Sequence, residues 1–431
     1  MTSVAVFSLL AVTLLTGTPI AIAIIATVML SLLIFTHVPM LVVVQQMFNA
    51  ADSFTLMAIP FFVLSGNIMT AGGISGRLIR VATAIFGQVA GGLAIAATAA
   101  CAFFAAISGS SPATVAAIGA IMIPALMKAK YDEKFSVGIV TAAGSLGIMI
   151  PPSIPMVVYG LATGEPIGKL FMAGVVPGLL TATVFAVMCY IAGKRRGFGT
   201  SNETPRTDRG EILTALREGF WGLMMPLIVL GGIYSGVFTP TEAAAVAVVY
   251  SAIVGSFIYK DIKPKDYVRI LTNSASVSAM IMFIIIAANA FSWFLTSQTI
   301  PQQIAAWIIS IAPEPWMFLL AVNVLLLVVG TFMEPNSAIL VLAPLFYPII
   351  MQMGINPIHF GIIMIYNLEL GLLTPPLGLN LFVAAGMTGF DLNRVVRSVI
   401  PFIAAMLVLL LLFTFVPQLS IYLPELLGKT P

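Results

Sequence analysis

Charged residues are scarce in this chain: Asp, Glu, Lys and Arg make up 8% of its 431 residues, while 60% are hydrophobic. A soluble domain carries about 25% charged residues because its surface faces water, so this surface is expected to face the lipid bilayer. Cysteine is nearly absent. Cys101 and Cys189 both fall in apolar runs, which suggests small buried hydrophobes and no disulfide or metal framework. No Walker lysine loop occurs, so the chain does not itself hydrolyse ATP. No paired histidines at metal spacing and no aspartate-rich motif argue for an enzyme; His37 and His359 stand at span ends and receive no role. The amino-terminal apolar run lacks the basic flank of a secretory signal and reads as retained structure. The net charge of +3 gives no nucleic-acid signal.

What is present is apolar sequence at helix length, repeated along the whole chain. Stretches such as Leu170–Tyr190 and Ile400–Phe415 are near the length that crosses a hydrocarbon core of about 30 Å. Membrane-spanning strands would alternate polar and apolar residues, and these stretches do not. An all-α integral membrane protein is expected.

The chain repeats itself weakly. Gly17-Thr18-Pro19 recurs as Phe238-Thr239-Pro240, and Gly147-Ile-Met-Ile-Pro151-Pro152 as Gly371-Leu-Leu-Thr-Pro375-Pro376. Ser108-Gly-Ser-Ser-Pro112 lies where the second half has Gly330-Thr-Phe-Met-Glu-Pro335, and Pro124 matches Pro348. Four matches in one order, offset by 221 to 224 residues, indicate an internal repeat of residues 1–197 and 219–431 across a polar linker, 198–218.

Loop charge gives the orientation, because short cytoplasmic loops collect Lys and Arg. Lys128, Lys130 and Lys134 face a partner stretch, 351–359, without Lys or Arg. Lys194, Arg195, Arg196, Arg206, Arg209 and Arg217 face a carboxyl-terminal tail with only Lys429. The bias reverses at 36–53, which reads as a loop without Lys or Arg, against Lys260, Lys263, Lys265 and Arg269. Corresponding loops therefore lie on opposite sides, the inverted repeat common among secondary transporters. First-half crossings fall at roughly 2–16, 19–36, 54–71, 135–163 and 170–192, with 89–127 a re-entrant helical hairpin turning near Ser108–Pro112.

Backbone that leaves helical form inside a bilayer must line a cavity or be buried in protein. Two pairs of elements look broken: the tip Ser108–Pro112 with the interruption Gly147–Pro155, and Gly330–Ser337 with Gly371–Asn380. Their hydroxyls and freed carbonyls suit a small hard cation. The opposing half-helix N-termini suit an anionic substrate. Three acids fall in the spanning part, Glu242, Glu334 and Glu369, and intramembrane acids are functional candidates. Glu242 follows Thr239-Pro240-Thr241 at a helix start, where capping explains it equally well. Glu334 and Glu369 are better placed, with Ser111, Asn336, Ser337 and Asn380 beside them as further substrate candidates.

The run Ser108-Gly-Ser-Ser-Pro-Ala-Thr-Val-Ala-Ala-Ile-Gly119, with Gly147-Ile-Met-Ile-Pro-Pro-Ser153, Thr239-Pro-Thr-Glu-Ala-Ala-Ala245, Phe332-Met-Glu-Pro335 and Leu373-Thr-Pro-Pro-Leu-Gly-Leu-Asn-Leu-Phe382, resembles the large membrane subunit of tripartite ATP-independent periplasmic (TRAP) transporters. Met333-Glu334-Pro335 and Asn380 are most similar to the C4-dicarboxylate branch. The resemblance implies sodium-coupled uptake of an organic acid across the bacterial inner membrane by an elevator-type movement. It also implies a small four-helix membrane partner, here as a separate polypeptide, and a periplasmic substrate-binding protein. Carried over by position, one sodium site would comprise Ser108, Ser110, Gly147, Ile150 and Pro152. The second would comprise Gly330, Gly371, Thr374 and Leu377. Two other readings remain: a TRAP permease for sialic acid or another sugar acid, and a stand-alone antiporter or channel.

Overall fold

The computed structural model describes residues 2–36, 38–198, 209–301, 303–304, 306, 314–375 and 378–427. The described residues form helices and turns without strands. Ten helices are long and apolar enough to cross a membrane. The first half runs α1 (Thr2–Leu15), α2 (Ile20–Phe35), α3 (Leu41–Ala51), α4 (Ala58–Ala71), α5 (Ile74–Phe86), α6 (Gly92–Ser108), α7 (Ser111–Lys128), α8 (Glu133–Ala143), α9 (Leu146–Met149), α10 (Ile154–Thr163) and α11 (Ile167–Arg196). The second runs α12 (Arg209–Tyr234), α13 (Pro240–Ile253), α14 (Pro264–Ser297), α15 (Pro315–Phe332), α16 (Pro335–Gln352), α17 (Pro357–Leu372), α18 (Leu379–Thr388), α19 (Leu392–Phe415) and α20 (Gln418–Leu427).

Helix starts follow the local chemistry. Proline occupies the first turn of α7, α10, α16 and α17, where its missing N–H costs no helical bond. The Asp132 carboxylate caps α8 by accepting from the Phe135 N–H at 3.1 Å. The Asn356 side-chain oxygen caps α17, accepting from Ile358 and His359 N–H groups at 2.9 and 3.2 Å. Asp132 and Asn356 are 224 positions apart, as are the starts and ends of α7 and α16. The repeat in the sequence is thus a repeat of elements.

One pair of counterpart helices, α11 and α19, runs in opposite directions. Arg394 at the start of α19 pairs with Glu133 at the start of α8, and Ser145, just past the end of α8, reaches Met406 further along α19. Those two helices run side by side in one direction. The chain then reverses at Gly164–Pro166, and α11 returns until Arg196 stands 3.9 Å from Asp132. Hence α11 is antiparallel to α8, and also to α19, its own counterpart.

Helices α1–α5 pack with α12–α14, and α6–α11 pack with α15–α20. The first group is tied by Arg77–Asp261 at 2.6 Å and by Arg80–Glu218, the second by Glu133–Arg394 and Asp132–Arg196. Each of these four ion pairs lies within a group. Between the groups, α4, α5 and α14 meet α6 and α16. A Cβ on Gly66 of α4 would touch the Ser108 backbone at 3.4 Å.

Two expectations change. Residues 36–53 hold a helix, α3, where a loop is expected; Val43 is buried, while Leu41, Val44 and Phe48 are exposed. Gln45, Gln46 and Asn49 interrupt its apolar run, and α14 covers one side of it. Residues 209–218, assigned above to the linker, are the first turns of α12, held by Ala215 against Val81 and Ala84. Glu211 and Arg217 in this stretch are exposed. Residues 199–208 of that linker lie outside the described residues.

Candidate functional site

Each half builds the same pair of parts, a hairpin and a broken span. In the first, α6 turns into α7 at Gly109–Ser110, and the span α8–α10 breaks at 150–153. Gly147 is there because the hairpin tip presses on it: a Cβ would lie 2.5 Å from the Ser110 carbonyl oxygen. The break is pinned by the Ser153 hydroxyl, which donates to the Ile148 carbonyl at 2.6 Å. In the second half α15 turns into α16 at Met333–Glu334, and α17 ends ahead of α18. Gly371 stands 224 positions after Gly147 and lies against the backbone of Gly330.

The two tips and the groove beside α4 and α14 enclose a cavity of about 340 Å³. Four helix N-termini converge on it, those of α7 (Ser111, Pro112), α10 (Ile154, Pro155), α16 (Pro335, Asn336, Ser337) and α18 (Leu379). Across from them stand Asn67 and Thr70 of α4, with Val277, Met280, Ile281 and Ile284 of α14. No Lys, Arg or His is among the described lining residues. The groups here that would favour an anion are backbone N–H groups and helix dipoles, and the Glu334 carboxylate also lines the cavity. At α16 that end is already occupied: the Glu334 carboxylate accepts from the Ser337 N–H at 3.1 Å and from Asn336 Nδ2 at 2.5 Å. The N-termini of α7, α10 and α18 carry no side-chain cap.

Behind the cavity lies a buried polar group shared by both halves. Ser111 Oγ donates to Glu369 Oε1 at 2.7 Å, and Asn380 Nδ2 donates to Ser111 Oγ at 2.7 Å and approaches Glu369 Oε1 at 3.4 Å. All three side chains are fully enclosed. Glu369 Oε2 and Asn380 Oδ1 have no hydrogen-bond partner among the described residues.

The six substrate candidates therefore separate. Ser111, Glu334, Asn336 and Ser337 line the cavity, while Glu369 and Asn380 stand behind Ser111. Of the cation candidates, Ser108, Ser110, Gly147 and Pro152 gather at the first tip, where a Cβ on Gly109 would lie 3.1 Å from the Pro152 carbonyl oxygen; Ile150 ends α9 there. Gly330 and Gly371 meet at the second. Thr374 donates its hydroxyl to the Leu370 carbonyl at 2.8 Å, a back-bond that leaves the oxygen lone pairs available. Leu377 lies outside the described residues, as does His37. Glu242 forms a capping box with Thr239, away from the cavity. Sequence reasoning passed over Asn67, which lines the cavity and donates to Ser274 Oγ of α14 at 2.8 Å; an amide inside an apolar helix was the available signal.

The oxygens gathered at both breaks are of the kind that hold small hard cations, and the cavity's exposed donors fit an anionic ligand. The chain matches, over residues 7–419, the family described as tripartite ATP-independent periplasmic transporter, DctM component. It is 49% identical over 401 residues, 93% of each chain, to the C4-dicarboxylate TRAP transporter large permease protein of Pseudomonas aeruginosa. Identity is 35% over 410 residues, 95% of each chain, with the sialic acid TRAP transporter large permease protein of Vibrio cholerae. The fold is similar to that of the YdaH transporter of Alcanivorax borkumensis, with a TM-score of 0.62 at 16% identity over 89% of this chain and 87% of that one.

Proposed function

The chain belongs to the DctM component family of tripartite ATP-independent periplasmic transporters, a multi-pass inner-membrane permease subunit, and from that premise we propose that it imports a C4-dicarboxylate in symport with sodium. The observation that carries the reading is the convergence of helix N-termini on one small cavity with no basic side chain among its described lining residues. Uncapped N-termini attract carboxylates, and about 340 Å³ suits a small organic acid. Identity of 49% with a permease named for C4-dicarboxylates, against 35% with one named for sialic acid, favours the former substrate class.

Sodium ions would sit at the two breaks and offset the charge of the anion. A periplasmic binding protein would deliver the substrate, and a small membrane subunit would complete the permease. The opposed directions of α11 and α19, and the four ion pairs described above, each within one helix group, support an elevator motion in which α6–α11 and α15–α20 slide along α1–α5 and α12–α14.

The test is uptake by the full permease in proteoliposomes with its binding protein, comparing succinate, malate and sialic acid with and without a sodium gradient. Sodium-dependent accumulation of a C4-dicarboxylate without ATP is expected. Accumulation of sialic acid alone would reassign the substrate. Equal uptake on a proton gradient in sodium-free buffer would refute the coupling.

A further inference from the structure

We infer that Ser111, Glu369 and Asn380 form a latch that couples the two breaks, so that ordering one favours ordering the other. Glu369 lies two residues before Gly371, and Asn380 two residues after Gly378. They flank the second break on either side. Both meet one hydroxyl, that of Ser111, which belongs to the first tip and directly follows Ser110. A single side chain from the first half thus holds both edges of the break in the second.

The latch cannot give way cheaply. Ser111 supplies the shortest hydrogen bond to a fully buried carboxylate, and Glu369 Oε2 has no other partner among the described residues. Moving the first tip would leave buried polar atoms unpaired, which is unfavourable in a low-dielectric interior. A shift of the first tip is therefore transmitted to the edges of the second break. Ser111 also lines the cavity, so the latch adjoins the ligand space. Glu369 and Asn380 are positioning residues, acting through Ser111.

The inference rests on the proposed sodium coupling, with one cation at each break. Uptake is measured across sodium concentrations in proteoliposomes holding the full chain, its small membrane subunit and the binding protein. Wild-type uptake should rise with a Hill coefficient approaching about 2, and Asn380→Leu and Glu369→Leu should bring it towards about 1 while raising half-saturating sodium about fivefold or more. Glu369→Gln keeps an oxygen for Ser111 to donate to and should stay near wild type. Asn380→Ser withdraws the amide while keeping a polar group, and serves where the leucine variant does not accumulate. An unchanged Hill coefficient in a folded Asn380 variant overturns the latch and leaves sodium coupling standing. Equal loss in Glu369→Gln and Glu369→Leu also overturns it, since charge would then matter and the hydrogen bond would not. Wild-type uptake indifferent to sodium removes the coupling and the latch together.

Discussion

Gly371 of α17 rests directly on Gly330 of α15: a methyl group on Gly371 would lie 2.2 Å from the Gly330 carbonyl carbon. Such a contact fixes where two helices cross, and here it fixes the second hairpin against the second broken span. Gly371→Ala must push them apart, an overpacking cost of about 1–3 kcal/mol or more. Gly386 of α18 has open space around its Cα, and Gly386→Ala should be neutral or stabilising by about 0.5–1 kcal/mol. Thermal unfolding midpoints of the purified permease, with and without sodium, compare the two. Equal midpoints would mean that the crossing is not close-packed.

The opposed counterpart helices give an expected topology. Reporter fusions after Lys134 and after Arg196, whose neighbours Asp132 and Arg196 approach to 3.9 Å, should both read cytoplasmic. Fusions after Gly354, beyond α16, should read periplasmic. A cytoplasmic signal at Gly354 contradicts the inverted arrangement.

Thr374 tests the second break. Its hydroxyl hydrogen is committed to the Leu370 carbonyl, which directs the lone pairs away from that helix. Thr374→Val keeps the shape and removes the oxygen, and should weaken sodium binding by roughly 1–3 kcal/mol. Thr374→Ser should be much milder. Sodium dependence of uptake in the two variants, normalised to protein in the membrane, decides the matter. Identical curves would assign Thr374 a purely local bond.

The contact between Gly66 and the Ser108 backbone lies where the two helix groups would slide. Gly66→Leu should slow transport at least about tenfold, roughly 1.4 kcal/mol on the barrier, while sodium-dependent thermal stabilisation persists. Undiminished transport in this variant would place the moving surface elsewhere.

The repeat was legible because breaking a helix in a membrane requires particular residues. Pro112, Gly147, Pro335 and Gly371 mark the two tips and the two interrupted spans, and nearly equal offsets of 223 and 224 positions relate them. The Ser111–Glu369 bond was not legible: its partners are 258 residues apart, and only folding shows that the acid reaches the opposite tip instead of the cavity. Helix α3 was hidden by its half-exposed amphipathic face, which a reading tuned to fully apolar spans passes over. Asn67 was hidden because one amide in an apolar helix carries no periodic signal.

The cavity described above offers helix dipoles but no fixed cation among its described lining residues, and this has an electrical consequence. A protein that met a dianion with two arginines would carry the neutralising charge back and forth with each cycle. Under the proposed symport, the charge balance would be left to the ions that travel with the substrate. Every cation carried beyond the two that neutralise a dicarboxylate then moves net positive charge inward, gaining about 2.3 kcal/mol per 100 mV of membrane potential. Membrane voltage, as well as the cation gradient, would then set how far such a transporter can concentrate its substrate.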